Sequence, residues 1–174
     1  MRNKKRHNKK LNEIISWLVR ILLILAFASS IARKDYEGIF LIVLTFILTF
    51  YPTILEKQFR VYLPSSFQIV ITLFIFAAQY LGELKAFYYK FWWWDIMLHT
   101  TSGLILGIIG FMIVYLLNEH YDTNVQLSPF FIVLFALCFA ITIGVVWEIY
   151  EFGMDRLFGF NMQKFRNPGE DGLV

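Results

Sequence analysis

Residues 129–155 read PFFIVLFALCFAITIGVVWEIYEFGMD, and no charge interrupts them before Glu148. At the rise of an α-helix the uncharged part alone reaches about 28 Å, close to the thickness of bilayer hydrocarbon. The stretch is apolar in every direction rather than along one stripe, as a helix surrounded by lipid should be. Four further segments read in the same way: 14–32, 38–55 with Pro52 in its last turn, 67–82 and 96–117. The alternation of barrel strands is absent, and only helices or closed barrels satisfy their backbone inside a bilayer. The expected fold is an all-α integral membrane protein, a bundle of about five transmembrane helices. Residues 13–153 form its helical domain, between a basic cytoplasmic tail (1–12) and a short extracytoplasmic tail (154–174).

Composition agrees. The chain has 174 residues, 58% of them hydrophobic, and a mean hydropathy of +0.59, well above a soluble domain. The formal charge of +3 is concentrated at one end. Six of the 16 basic residues are Arg2, Lys4, Lys5, Arg6, Lys9 and Lys10, so the remainder carries 10 basic against 13 acidic residues. A basic tip before an apolar helix sets topology and attracts anionic lipid. No nucleic-acid recognition module follows it, so nucleic acid is not an expected partner. The tip belongs in the cytoplasm of a multi-pass cell-membrane protein. Together with AFA (26–28) it also resembles a secretory signal, but Arg20 interrupts the apolar region and favours an uncleaved helix. Arg20 is placed either to snorkel or to face another helix. The single cysteine, Cys138, excludes an internal disulfide and a thiolate cluster and reads as a small buried hydrophobe.

The opening stretch ends in Glu148, Glu151 and Asp155, spaced three and four apart and therefore on one helix face. The segment before it begins WWWDIMLHTTSG, where Asp95 and His99 are four apart and also share a face. In consecutive membrane helices, one begins on the side where the next ends. The two clusters therefore lie at one depth whatever the absolute orientation.

An imidazole with several carboxylates suits a divalent metal such as zinc, manganese or iron, with Asp95, His99, Glu148, Glu151 and Asp155 as the donor set. Such a metal activates water for attack on a phosphate or amide. Without it, His99 beside a carboxylate is a proton acceptor, and His99, Glu148 and Glu151 are the catalytic candidates. Each residue also has an ordinary reading. Asp95 suits a helix N-cap, Asp155 the headgroup region, and Glu148 with His99 a buried ionic lock between helices. HExxH, phosphate-binding glycine loops and a Ser-His-Asp order are absent. Gly103 and Gly107, with Gly110 beyond, read as a close helix-packing face. Trp92, Trp93, Trp94, Tyr88 and Tyr89 read as an interfacial belt, and His120 as solvated.

WWWDIMLHTTSGLILGIIGF followed by VVWEIYEFGMD resembles the YjdF-like family of small bacterial multi-pass membrane proteins, whose function is unknown. It is more distantly similar to VanZ-like membrane proteins, which pair Asp-x3-His at one helix start with Glu-x2-Gln/Glu at a later helix end. The resemblance covers about residues 90–174 and implies a shared acidic-histidine site at the cell envelope. It also implies an Asp-Thr-x2-Asp element opening a further helix. Residues 167–174, NPGEDGLV, depart from that pattern, so either a chain continuing past Val174 or a site lacking one wall is expected.

Three functions follow from these residues. The first is an envelope hydrolase, metal- or acid/base-dependent, acting at the outer face on a lipid-linked or headgroup substrate. The second is an ion-coupled transporter subunit, in which homo-oligomerisation supplies the pathway that five helices without an inverted repeat do not. The third is a non-catalytic scaffold in which the polar cluster locks helices together.

Overall fold

The computed structural model describes residues 2–59, 62–120, 127–159 and 161–164. Side chains before Asn8, the side chain of His120 and the stretch 167–174 lie outside that description. All regular structure among the described residues is helical. Five helical stretches are long and apolar enough to cross a membrane: Asn8–Arg33, Tyr36–Gln58, Ser65–Leu84, Trp94–Tyr115 and Pro129–Phe158. The chain divides into two compact units, Met1–Lys90 and Phe91–Val174.

In the first unit, α1 (Arg2–Arg33) begins earlier than the apolar pattern alone indicates, because the basic tip continues the helix. It ends in a left-handed Lys34 (φ 58), with the amide of Asp35 returning to the Ser30 carbonyl at 3.0 Å. Asp35 then caps α2 (Tyr36–Leu48), its Oδ1 accepting the Gly38 amide at 2.9 Å. Such a side chain supplies one of the acceptors that the first turn of a helix lacks.

The second span is two helices. It breaks at Thr49 and Phe50, and α3 (Tyr51–Phe59) follows. Pro52 therefore sits in the first turn of a new helix rather than in the last turn of the old one. There its missing N–H deprives no carbonyl of a partner. Arg20 from α1 meets the break. Its Nε donates to Thr49 Oγ1 at 3.2 Å and its Nη2 to the Thr49 carbonyl at 3.3 Å. The guanidinium lies 3.8 Å from the centre of the Phe50 ring. Of the two sequence readings of Arg20, the structure takes the one that faces another helix.

The third span also has two parts. α4 (Ser65–Ile75) widens into a π-helix over Phe76–Leu84, which closes with Lys85 N–H on the Tyr80 carbonyl at 3.0 Å. A Cβ at Gly82 would lie 2.5 Å from the Tyr88 ring, so any larger residue there has to displace that ring. The short α5 (Phe87–Lys90) follows. Val19, Leu23 and Ile42 form the buried core of this unit, with Phe27, Phe46, Phe76 and Tyr80 packed around them. Its buried Thr45 returns its hydroxyl to the Leu41 carbonyl at 2.6 Å, so no polar atom of that side chain meets the core unpaired. Gln68 collects the polar groups near the start of α4. It donates to the Leu63 carbonyl at 3.0 Å and to Glu56 Oε2 at 2.9 Å, and accepts from Asn12 Nδ2 at 2.9 Å.

The second unit is a helical hairpin of α6 (Trp94–His120) and α7 (Pro129–Phe158). Ser128 caps α7 through the Phe131 amide, and Pro129 occupies the first helical position, where it fits best. Gly110 of α6 faces α7 closely. A Cβ there would lie 3.0 Å from Cδ1 of Phe139 and 3.1 Å from the Ala136 backbone. Gly103 and Gly107 were the expected packing pair, yet nothing lies within 4 Å of a Cβ at either. Only the third glycine of the series meets α7.

Cys138, expected to be buried, is exposed on α7. The helix turns Ala136 inward at that level, and the cysteine two positions on points elsewhere. From Ile141 to Tyr150 every side chain of α7 is exposed and almost all are apolar, which suits a helix bathed in acyl chains.

Candidate functional site

The level of the polar residues follows from the Gly110–Ala136 contact. His99 lies eleven residues before Gly110 on α6, and Glu148 twelve residues after Ala136 on α7. At helical rise these are about 16 and 18 Å, run out in the same direction along antiparallel neighbours. The two clusters therefore meet at one end of the hairpin. α7 continues to Phe158, about three turns beyond the uncharged run, so that Glu148, Glu151 and Asp155 are all held on a helix.

His99, Glu148 and Glu151 each offer a donor atom within 4.8 Å of the other two. Glu151 is buried, whereas His99 and Glu148 are exposed. Asp95 lies one turn before His99, with its Oδ1 3.5 Å from Nε2 of the imidazole. It stands within α6, one residue after Trp94 opens the helix, and is not its N-cap. Its carboxylate instead faces the imidazole of His99.

Asp155 has a different task. Its buried carboxylate accepts the Met162 amide on Oδ1 at 2.6 Å and the Gln163 amide on Oδ2 at 3.1 Å. Both of its oxygens thus face the backbone of the returning chain, and Asp155 stands apart from the His99–Glu148–Glu151 group. Gln163 also reaches that group. Its Nε2 donates to Glu148 Oε1 at 2.5 Å. No local pattern singles out this glutamine in the sequence. Only Gly159, left-handed at φ 72, signals that the chain reverses at the end of α7.

Two donors on one tetrahedral ion at about 2.0–2.2 Å lie about 3.3–3.6 Å apart. The three donors, now within 4.8 Å of one another, would close on an ion by rotation of the two flexible glutamate side chains, a movement of about 1 Å. The donor set carries two negative charges, which match a dication, and mixed nitrogen and oxygen suit zinc, manganese or iron. Five aromatic residues, Trp92, Trp93, Trp94, Trp147 and Tyr150, accompany the site at this end of the hairpin. Trp92 is 83% exposed. Such rings favour the headgroup level of a membrane.

A family model described as "Predicted membrane protein (DUF2238)" matches residues 14–171. An uncharacterized protein of Thermotoga maritima is 27% identical over 161 residues, an alignment covering 92% of this chain and 79% of the relative. No solved structure matches the chain.

Proposed function

The chain belongs to the DUF2238 family of membrane proteins, and on that premise we propose that its α6–α7 hairpin holds a divalent cation and hydrolyses a lipid-linked or headgroup substrate. The observation that carries this reading is the convergence of one imidazole and two carboxylates from two antiparallel helices within 4.8 Å. Charged side chains near a bilayer gather in this way when they have work to do together, since isolation in lipid is costly. Asp95 behind His99 would fix the orientation of the ring, as carboxylates behind ligating histidines do.

His99, Glu148 and Glu151 would hold the cation, which would supply Lewis-acid activation of a water. A carboxylate of Glu148 or Glu151 would accept that water's proton. The water oxygen would bond to phosphorus or to a carbonyl carbon as the ester or amide bond breaks, and the departing oxygen or nitrogen would recover the proton. A site among interfacial aromatic rings lies within reach of headgroups. A basic tip on the cytoplasmic side, as the bias of positive charge favours, would leave this end of the hairpin after five spans on the outer side of the cell membrane. The finer kinship with YjdF-like and VanZ-like proteins rests on the DIMLH and WEIYE motifs and belongs to the same proposal.

Metal analysis of the purified chain tests the first half of the reading. Near-stoichiometric zinc, manganese or iron is expected, falling in His99→Ala and Glu151→Gln. Sub-stoichiometric metal that neither substitution changes would sink the metalloenzyme. Chelator-sensitive release of phosphate or headgroup from mixed micelles tests the second half. A metal-loaded chain that cleaves neither phosphoester- nor amide-linked lipids would overturn the hydrolase.

A further inference from the structure

Beyond Gly159 the chain comes back along the last turns of α7, tied there at two levels. Asp155 receives the amides of Met162 and Gln163, one on each carboxylate oxygen. Two turns earlier on the same helix face, Glu148 receives the Gln163 side chain at 2.5 Å. Gln163 is thus held by its backbone to one acid of α7 and holds a second acid with its carboxamide.

Glu148 is exposed and has three side-chain torsions, so the helix alone leaves its carboxylate many orientations. The contact with Gln163 accompanies the orientation in which Glu148 faces His99 and Glu151. The donor is neutral. A lysine in its place would fix the carboxylate equally well but would cancel the charge that attracts a cation. The contact also occupies Oε1 and leaves Oε2 of Glu148 for another partner.

We propose that Gln163 is a positioning residue for Glu148, with Asp155 as its anchor, so that a turn supplying no ligand atom governs the cation affinity of the site. This rests on the cation reading of the preceding section. Outer partners of metal ligands commonly change affinity by about 10–100-fold when removed.

The test is a Mn2+ titration of the full chain in detergent micelles, following the spin-resonance signal of the free ion. Gln163→Met keeps the length of the side chain and removes its donor, and binding is expected to weaken about tenfold or more. Asp155→Asn should weaken it similarly, and the double variant no further than the weaker single one, because both act through one contact. Thermal unfolding of the metal-free Gln163→Met chain should match that of the unaltered protein. Unchanged Mn2+ affinity in Gln163→Met, with binding lost in Glu151→Gln, would overturn the positioning role and leave the cation site standing. Additive losses in the double variant would also overturn it. Failure of the unaltered chain to bind Mn2+ at all would remove the cation reading and this inference with it.

Discussion

Both units carry polar side chains inside apolar helices, and they use them differently. In the first, such groups serve irregularities of the backbone. Arg20 donates to the carbonyl exposed where α2 breaks, Asp35 caps the start of α2, and Gln68 reaches the Leu63 carbonyl before α4. In the second, His99, Glu148 and Glu151 converge on one another, while Ser128 and Asp155 serve backbone amides at the two ends of α7. A polar residue in a membrane helix is therefore accounted for once it is matched to a broken turn or a bare helix end. Residues that instead meet across two intact helices are the better candidates for chemistry.

The contrast makes the units separable by substitution. The largest effect is expected for Glu151→Gln, which should abolish cation binding outright, whereas Arg20→Met should leave that binding intact. Loss of Mn2+ affinity in Arg20→Met would break the distinction. Arg20→Met should instead destabilise the protein by about 1–3 kcal/mol, the usual cost of a buried carbonyl deprived of its donor, read as a lower midpoint of thermal unfolding in micelles.

Gly110→Ala is expected to cost about 1–3 kcal/mol through overpacking, since part of what it meets is backbone and cannot move aside. Gly103→Ala and Gly107→Ala, with open space beside them, should leave stability unchanged or raise it by up to about 1 kcal/mol through helix propensity. Equal losses at all three positions would restore the packing face that the glycine spacing suggested. Asp35→Ala should cost about 1 kcal/mol for the loss of a helix cap, with no change in cation affinity.

The spans were legible because an uncharged helical length is a strong signal that no neighbour alters. Alignment of DIMLH with WEIYE was legible for a similar reason: connectivity alone puts the start of one helix beside the end of the next. The break at Thr49 was not, since Pro52 is compatible with either side of a helix boundary and the choice depends on Arg20, twenty-nine residues earlier. Nor was the π-helix at Phe76–Leu84, whose wider turn brings Gly82 against Tyr88. Within the site, Asp155 looked like a fifth donor because spacing reports which face a side chain occupies and not what folds back onto it. Gln163 escaped notice for the converse reason, being close to Glu148 only after the chain has turned at Gly159.

That turn has a property of its own. Gly159 lies at φ 72, yet nothing stands within 4 Å of where its side chain would project. The requirement there concerns handedness and not room. An L-residue is opposed by its own backbone alone, and a D-alanine introduced by semisynthesis would fit as glycine does. The end of α7 thus needs a residue free to take either hand, while Asp155 holds Met162 and Gln163 in place beyond it.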